Sequence, residues 1–365
     1  MLTGLTALLL GLCGCAVPPE TTSAPSVVQA PVAPANVPEK PDAAADAGGA
    51  PVTLNLADFG AAGNGQADDT AALRNAVSAV LEAGGGPVYL PAGTYRLTDT
   101  LMLTGDDSAL LTLRADPTGQ TVLAADASVN GPAVWIERSG VTLFGLDIIL
   151  GTTEDQPAVL VTGSHVTLDS VTARMTAGNT QPGFLVYGSY DTLRNCGVGY
   201  VSDTQYMVVF SKMPGLDAVG NVLEDCHFGG MAGKCVLVTS EDDNGVPEQL
   251  TIRRNVFLVV GCDQVEVRAA RNLYITDNML DAAGVCVLLD PLPAGVRGVQ
   301  ITDNYCGAST GGARTGGVRT ESAYGGTLEN VIVSANYFWC PNAVRVILPE
   351  YTGFSLTDNY FVLTG

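Results

Sequence analysis

The residues best suited to chemistry are carboxylates and arginines that alternate with apolar residues in the last third of the chain. Glu266 stands between two valines, and Arg319 and Glu321 flank a threonine. Paired carboxylates can act as general acid and base on a glycosidic bond, and an arginine can hold a sugar carboxylate through two parallel hydrogen bonds. The pattern predicts a site for an acidic sugar, with Glu266, Glu321 and Asp290 as catalytic candidates and Arg268, Arg319, Arg345 and Trp135 as substrate-binding candidates.

The same charges have a plainer interpretation as ion pairs between neighbouring strands on a solvated face. The loop that carries Glu241, Asp242 and Asp243 is a second place where carboxylates gather. His227 is interpreted as a turn residue and not as a catalytic base. The sequence predicts no metal-ligand set, and it contains no regular Asp-Gly repeat of the calcium-binding sort.

A phrase that recurs five times indicates how such residues would be positioned. Each copy is a short apolar stretch followed by a turn, and the asparagines of successive copies lie 23, 26, 32 and 23 residues apart. These asparagines are Asn255, Asn278, Asn304, Asn336 and Asn359. A strand-like phrase with this period is typical of a solenoid, in which each copy is one coil. We expect the asparagines to stack at one bend, to adopt the left-handed conformation, and to bond the backbone or the next asparagine.

A second set of short strands falls between these copies, with apolar residues two positions apart. The predicted inward pairs include Leu185 with Tyr187, whereas Cys286 is placed outward, as are Trp135 and Glu266. A third, less regular strand is expected in each coil. About ten coils at ~4.8 Å would form a rod of roughly 50 Å with a continuous core.

Composition agrees with many short buried strands and narrows the range of partners. The 365 residues include 43 glycines and 20 prolines, and only 15% of the residues are charged. The formal net charge of −20 argues against nucleic acid or an anionic membrane surface as a partner. The cysteines beyond residue 15 fit no zinc spacing, and most of them are predicted to be buried thiols, with a Cys196–Cys226 disulfide left open.

Residues 1–50 are predicted to lie outside the fold. The apolar run from Leu5 to Leu12 is too short to span a bilayer as a stable helix. With the following Cys-Gly-Cys it resembles a bacterial lipoprotein signal over residues 1–15, with Cys15 as the lipidated residue, although the usual Lys or Arg is absent. Residues 16–50 are Pro/Ala-rich and predict a flexible tether. We therefore expect the protein in the bacterial cell envelope or at the cell surface, lipid-anchored or secreted, with the lipid as its only membrane contact.

The solenoid domain is expected over residues 51–365, and its first part differs from the coils. Apolar residues in 71–82 recur at helical spacing, Asp69 suits an N-cap, and three glycines follow at 84–86. The sequence thus predicts a helix over about 69–83 that caps the open end of the stack. Residue 365 falls within a regular coil, so we expect that end to be continued or covered.

This opening resembles the N-terminal signature of the pectate-lyase-like, rhamnogalacturonase/epimerase-type family of single-stranded right-handed β-helices. The motifs that carry the resemblance are Asp58-Phe-Gly-Ala, Asp68-Asp-Thr and Leu90-Pro-Ala-Gly-Thr-Tyr, with Asn64 where the family usually has Asp. The resemblance implies an all-β right-handed parallel β-helix solenoid. It also implies hydrolysis, β-elimination or C5 epimerisation of polysaccharides. The Asn-Thr-Asp, Gly-His-Gly and Arg-x-Lys motifs of polygalacturonase-type members are not found in working order, so that hydrolase chemistry is not supported.

Two functions therefore remain open. The first is a surface-anchored polysaccharide lyase or glycoside hydrolase that acts on pectin-like or other uronate-containing glycans, with calcium as an open cofactor. The second is a non-catalytic β-helix lipoprotein that binds glycans or adheres, with Trp135, Tyr206 and Tyr324 as platforms on which sugars stack. A polysaccharide is the expected partner in both.

Overall fold

The computed structural model describes residues 53–152, 155–199, 206–230, 234–242, 245–259, 262–308, 315–348 and 350–362. These residues form a right-handed parallel β-helix of about ten turns, so the predicted fold class is confirmed. The signal-like segment 1–15 with Cys15, the tether 16–50 and Asp243 lie outside the described residues. Among the described residues, no helix has both the length and the apolar character needed to cross a membrane.

The described strands form three faces of the coil, and their pairings are parallel. One face is sheet A, with 12 described strands: Leu54–Asn55, Gly86–Leu90, Leu111–Ala115, Val141–Phe144, Thr167–Asp169, Thr192–Arg194, Val222–Glu224, Thr251–Arg253, Ala270–Thr276, Val296–Thr302, Leu328–Ser334 and Tyr351–Thr357. The second is sheet C, with 10 described strands: Leu101–Leu103, Val134–Ile136, Val159–Val161, Phe184–Val186, Tyr206–Lys212, Lys234–Ser240, Val265–Val267, Val285–Leu289, Gly316–Thr320 and Val344–Arg345.

The third face is shared by two sheets along the axis. Sheet B holds the earlier coils through Asn64–Asp68, Gly93–Leu97, Thr121–Ala125, Asp147–Leu150, Thr172–Met175 and Gly197–Val198. Sheet D holds the later coils through His227–Gly230, Val256–Val259, Met279–Ala283, Tyr305–Ala308, Tyr337–Trp339 and Tyr360–Phe361. The amide of His227 donates to the carbonyl of Cys196 at 3.2 Å, which joins the two sheets. The expected third strand per coil is therefore confirmed.

The first coil is covered by helix α1, which spans Thr70–Glu82 and follows a 3₁₀ turn at Leu56–Phe59. Leu73 and Val80 of α1 are fully buried against the core, as the apolar spacing predicts. Asp69 is the N-cap residue, but its side chain makes no capping bond. Its carboxylate instead accepts from the amides of Ala62 and Gly63, which fastens the preceding loop to the helix start.

The predicted asparagine ladder is confirmed, although its backbone conformation was predicted wrongly. The amide of Asn255 donates to Oδ1 of Asn278 at 3.0 Å, and Asn278 repeats this bond with Asn304. The left-handed residue is the one before each asparagine, for example Arg254 with φ 54° and Asp277 with φ 56°. The reason is that the asparagine side chain must point inward to bond along the stack, so the turn is made one residue earlier.

Three further positions differ from the sequence prediction. Phe184 and Val186 point into the core and Leu185 points outward, because the strand register follows the bulky phenylalanine. Cys286 is also inward, where its thiol contacts the carbonyls of Leu280 and Gly307. His227 begins a strand of sheet D and is not a turn residue.

Cys196 and Cys226 extend the asparagine ladder toward the N-terminus with thiols in place of amides. The amide of Cys226 donates to Oδ1 of Asn255 at 2.9 Å, and the amide of Cys196 donates to the sulfur of Cys226 at 3.3 Å. Both cysteines are buried thiols, as are Cys235, Cys286, Cys306 and Cys340, whereas Cys262 is partly exposed. The prediction of buried thiols is thus confirmed for six cysteines of the described residues.

Candidate functional site

The centre of the candidate site is Glu266, which points outward from sheet C yet is only 2% exposed. Its Oε1 accepts from Nε of Arg268 at 2.6 Å. Its Oε2 accepts from the hydroxyl of Tyr206 at 2.9 Å and from the ammonium of Lys234. Two cations and a phenol therefore enclose one carboxylate, and we call Tyr206, Lys234, Glu266 and Arg268 the Glu266 cluster.

The coil register brings these residues together. Glu266 lies in the strand Val265–Val267, and Arg268 directly follows that strand. Because the two residues are two positions apart, both side chains point outward. Tyr206 and Lys234 are register partners on the two preceding coils of sheet C. Because each position is fixed by ladder hydrogen bonds, the charged atoms are held by rigid elements and not by loops.

Aromatic rings enclose the arginine of the cluster. The guanidinium of Arg268 lies 4.9 Å from the ring centre of Tyr324 and 5.9 Å from that of Tyr206. Its Nη2 also donates to the hydroxyl of Tyr206 at 2.9 Å. Tyr206 is itself buried, so its ring is not open as a stacking platform for a sugar, whereas Tyr324 is 40% exposed.

The charge state of Glu266 follows from two opposed effects. Burial raises the pKa of the carboxyl, but the hydrogen bond from Lys234 and the positive charge of Arg268 outweigh it, so the pKa lies below its usual value. Burial also raises the pKa of Tyr206, and the negative charge of Glu266 raises it further. At neutral pH the cluster therefore contains an ionised carboxylate beside a neutral phenol. Glu266 in this state cannot act as a general acid.

Asp290 has the opposite behaviour. It is 4% exposed, follows the strand Val285–Leu289, and its Oδ1 accepts from the amide of Ala323 at 2.8 Å. Burial raises the pKa of Asp290, and the nearby charges of Glu321 and Glu266 raise it further. The register of the neighbouring strands places it next to Arg268 on one coil and next to Glu321 on the other. The pKa of Asp290 is thus shifted in the direction that suits a proton donor.

Arg319 and Glu321 form a further pair on the next coil, where Nε of Arg319 donates to Oε1 of Glu321 at 2.8 Å. Arg319 is two coils from Glu266, since both are register partners of Leu288. Arg345 is the register partner of Arg319 on the following coil and is exposed. The predicted residues of the last coils therefore share one side of sheet C.

Trp135 is not brought to this group. Its column runs through Leu160, Leu185, Val209 and Leu237 before it reaches Glu266. That separation is five coils, or roughly 24 Å at ~4.8 Å per coil. The indole nitrogen donates to the hydroxyl of Thr162 at 2.9 Å.

Lys234 is a member of the site that the sequence analysis missed, and Asp263 lies beside it. The ammonium of Lys234 lies 3.7 Å from Oδ2 of Asp263, in addition to its bond with Glu266. A signal for them exists in the sequence: Tyr206, Lys234 and Asp263 each stand two residues before an inward valine of sheet C. Counting back from the valines would have aligned the three residues on successive coils.

The alternative loop is engaged in other bonds. The hydroxyl of Tyr187 donates to Oε1 of Glu241 at 2.5 Å, and Lys212 pairs with Asp242 at 3.2 Å. Within the described parts of the chain, no group of three or more His, Cys, Asp or Glu side chains is arranged to hold a metal ion. Calcium therefore stays a hypothesis based on resemblance.

Comparison with known families agrees with this architecture. Residues 53–278 match the family described as rhamnogalacturonase A/epimerase, pectate lyase-like. The chain belongs to this family. The matched range includes the capping helix and the Glu266 cluster, and it ends before Asp290 and Glu321.

Sequence relatives match only short parts of this chain. Mannuronan C5-epimerase AlgE1 of Azotobacter vinelandii is 40% identical over 89 residues, which are 22% of this chain and 6% of that protein. Alginate lyase 7 of the same organism is 54% identical over 44 residues, or 12% of this chain and 5% of that protein. Plasmin and fibronectin-binding protein A of Streptococcus pneumoniae is 32% identical over 103 residues, or 28% of this chain and 14% of that protein. The chain thus spans only a small fraction of each relative.

Solved structures share the fold at low sequence identity. The surface adhesin PfbA of Streptococcus pneumoniae superposes with a TM-score of 0.60 and 14% identity, over 85% of this chain and 91% of that chain. An exopolygalacturonase of Thermotoga maritima superposes with a TM-score of 0.55 and 12% identity, over 84% and 92% of the two chains. At these identities the likeness shows the fold alone. The proteins to which this chain is similar in sequence or in fold thus include mannuronan epimerases, an exopolygalacturonase and a surface adhesin.

Proposed function

We propose that the protein binds a uronate-containing polysaccharide along the outer face of sheet C and acts on it at the Glu266 cluster. The proposed reaction begins with removal of the proton next to the sugar carboxylate, as a lyase or a C5-epimerase requires. The observation that carries the proposal is the pairing of Lys234 and Arg268 around one ionised, buried carboxylate.

The chemistry needs the sugar carboxylate to be neutralised before its neighbouring carbon can lose a proton. Lys234 and Arg268 supply two positive charges whose side chains are 29% and 22% exposed, so their ends are within reach of a ligand. Preorganised cations in a site with little water are worth far more than the same charges in solution. Glu266 would hold both cations in position and would be the final proton acceptor. The oxygen of Tyr206 would take the proton from the sugar while its own proton passes to Oε2 of Glu266 along the existing hydrogen bond.

The remaining candidates receive roles along the same face. Arg319 and Arg345 lie on successive coils and would bind the carboxylates of adjoining sugar units. Asp290 would deliver a proton to the departing oxygen, since its buried position favours the protonated form. Trp135 would contact the polysaccharide only at a distant subsite, if the chain follows the axis of the stack.

Two of the sequence relatives support this reaction class. Their names are mannuronan C5-epimerase and alginate lyase, and both reactions start from the same proton removal at a uronate. The neighbouring adhesin PfbA supports a location at the cell surface. Anchoring through lipidated Cys15 belongs to the proposal and is read from the first 15 residues of the sequence.

A second candidate function is glycoside hydrolysis, and the neighbouring positions of two carboxyl residues favour it. Asp290 and Glu321 directly follow the register partners Leu289 and Thr320 on adjacent coils, so their backbones lie about 4.8 Å apart along the axis. Retaining glycosidases hold their two carboxyls at about 5–5.5 Å. In that reaction Asp290 would be the acid and Glu321 the nucleophile.

The test uses the purified full chain with polymannuronate, polygalacturonate and a neutral glucan. Ultraviolet absorbance reports the unsaturated products of a lyase, reducing ends report hydrolysis, and deuterium incorporation at C5 reports epimerisation. We expect turnover of a polyuronate and none of the neutral glucan. Binding of a polyuronate without any of the three signals would replace the enzyme by a binding protein, and absence of binding would refute the whole proposal.

Variants locate the site. Tyr206→Phe keeps the ring and Arg268→Lys keeps the charge, so both should fold, and each should lower turnover by about 10²-fold or more. Arg254→Ala, at the turn that follows the strand Thr251–Arg253 of sheet A, is the matched control, because it also removes a paired arginine and should leave turnover unchanged. Full activity in both cluster variants would move the site elsewhere. Selective loss in Glu321→Gln, with release of reducing ends by the unmodified protein, would favour the hydrolase.

A further inference from the structure

A pair of cysteines lies directly behind the Glu266 cluster. Cys235 follows Lys234 in sequence, and Cys262 precedes Asp263. The two cysteines lie on adjacent coils, Cys235 in the strand Lys234–Ser240 and Cys262 before the strand Val265–Val267. The thiol of Cys235 donates a hydrogen bond to the sulfur of Cys262. Their sequence neighbours also meet, because the ammonium of Lys234 is 3.7 Å from Oδ2 of Asp263. The thiol pair and this ion pair therefore join the same two chain segments.

This pair differs from the other neighbouring cysteines in its access to solvent. Cys196 with Cys226, and Cys286 with Cys306, are also hydrogen-bonded neighbours, but each of these four is at most 2% exposed. Cys262 is the cysteine of the described residues that is partly exposed. A thiol must be reached by its reaction partner, so the Cys235–Cys262 pair is the accessible one.

The electrostatic surroundings also favour attack by Cys262. The hydrogen bond from Cys235 lowers the pKa of Cys262 and the charge of Lys234 lowers it further, while burial and the charge of Asp263 oppose this shift. Burial raises the pKa of Cys235, which stays a thiol. Cys262 is thus the thiol of the pair that ionises more readily and would attack as its thiolate, and Cys235 beside it would be the resolving cysteine.

We propose that Cys235 and Cys262 form a reactive dithiol that closes to a disulfide by exchange with a small-molecule disulfide such as oxidised glutathione. The sulfur of Cys262 attacks one glutathione sulfur, the glutathione disulfide bond breaks, and one glutathione leaves as a thiolate. Cys235 then loses its proton to water, its sulfur attacks that of Cys262, and the second glutathione leaves. One external disulfide is reduced to two thiols while the protein dithiol is oxidised.

The disulfide would also tie together the segments that carry Lys234 and Asp263. Two thiols in hydrogen-bond contact must approach to about 2.05 Å between sulfurs when they bond. That movement shifts Lys234 relative to Glu266. Oxidation should therefore change the affinity of the site for a polyuronate, and this consequence rests on the proposed function.

The experiment treats the folded full chain with oxidised glutathione, blocks free thiols with iodoacetamide at intervals, and identifies disulfides by mass spectrometry of tryptic peptides. Cys235 and Cys262 fall on different tryptic peptides, residues 235–253 and 255–268, so their linkage is read directly. We expect this linkage first, while Cys196, Cys226, Cys286 and Cys306 remain free thiols, which the iodoacetamide alkylates once each sample is denatured. Linkage of either buried pair at an equal rate, or absence of the Cys235–Cys262 linkage, would overturn the proposal.

Two variants separate the roles. Cys235→Ser should leave Cys262 trapped as a mixed disulfide with glutathione, whereas Cys262→Ser should leave Cys235 unmodified. Cys196→Ser is the control and should not alter the rate of linkage. The affinity for oligogalacturonate is then compared before and after oxidation, with an expected change of about fivefold or more. An unchanged affinity in a linked protein that binds the oligosaccharide would refute the regulatory consequence, while failure to bind in both states would concern the proposed function instead.

Discussion

Replacement of Asp191 by asparagine is expected to stabilise the protein, and to do so more strongly as the pH rises. Asp191 is fully buried at the start of a strand of sheet A, where its Oδ1 accepts from the amide of Val166 at 2.8 Å. Among the described residues its Oδ2 has no hydrogen-bond partner. Burial holds the pKa of this carboxyl well above its usual value.

On the next coil, the position equivalent to Asp191 is occupied by an amide side chain. Asn221 occupies the equivalent position, and its Oδ1 accepts from the amide of Asp191 at 2.8 Å. Its Nδ2 donates to the carbonyl of Gly188 at 2.9 Å. In the coil of Asp191 the corresponding acceptor is the carbonyl of Gly163, so an ionised Oδ2 would face an acceptor and only a protonated carboxyl could donate.

The sign and size of the effect follow from proton linkage. The folded-state pKa of Asp191 is raised, so the unfolded chain releases this proton above about pH 4 while the folded protein retains it. Stability of the unmodified protein is therefore lost as the pH rises from about 4 to the folded-state pKa, at up to about 1.4 kcal/mol per pH unit. The asparagine side chain in the Asp191→Asn variant carries no proton to lose. The difference between the two proteins should thus be small near pH 4 and grow with pH.

Urea unfolding of Asp191→Asn and the unmodified full chain, followed by circular dichroism at about pH 5, 6 and 7, measures this difference. Other titrating groups are shared by both proteins and cancel. Asn221→Asp is the reciprocal control, since it places a carboxyl opposite the carbonyl of Gly188 and should destabilise increasingly with pH. A stability difference that does not change with pH, or an asparagine variant less stable at neutral pH, would refute the reasoning.

Three other perturbations test the fold. Leu73→Asp should lower the free energy of unfolding by more than about 3 kcal/mol, because it buries an unpaired charge under helix α1. Ala71→Asp, on the exposed side of the same helix, should cost little, so equal urea midpoints of the two variants would contradict the prediction. Asn304→Ala should cost about 2–4 kcal/mol in the same assay, since it removes the acceptor for Asn278 and the donor to the carbonyl of Ile275; a near-neutral result would deny the ladder a stabilising role. Arg254→Ala breaks exposed pairs with Asp225 and Glu224 and should lower the free energy of unfolding by less than about 1 kcal/mol, and this effect should disappear in concentrated salt. A larger loss of stability that does not depend on salt would show that these pairs are not screened by solvent.

The fold was predictable because its periodic signals are local. Asn255 and its equivalents mark one corner of each coil, and the apolar positions of helix α1 mark the cap, so both could be found from spacing alone. The left-handed residue before each asparagine was missed because spacing does not say which residue of a turn takes the strain. Leu185 was wrongly assigned inward, because its strand is too short for alternation to fix the register. In the structure Phe184, one residue earlier, points into the core, where it fits better.

The candidate site was predictable only in part, for a physical reason. Glu266 and Arg268 alternate with buried valines and so reveal their outward direction. Lys234 and Tyr206 lie before their valines on other coils, and their approach to Glu266 depends on side chains that reach across coils. The burial of Asp290 depends on the segment around Ala323, more than 30 residues later in the chain. Alignment of the coils places such residues near one another, but it does not show which side chains make contact.

The charges of the Glu266 cluster are not needed to build the stack, and this favours a role in binding. The same outward column carries apolar residues on the coils before Glu266 and between Glu266 and Arg319, namely Leu160, Leu185, Val209, Leu237 and Leu288. Apolar side chains therefore satisfy this position on the same scaffold. A buried ion pair contributes little net stability, because the cost of removing both charges from water offsets their attraction. Folding therefore explains poorly why Glu266 and Arg319 stand where the earlier coils have leucine. An anionic ligand explains it well, because the arginines and Lys234 can bind its negative charge on a protein whose overall net charge is −20.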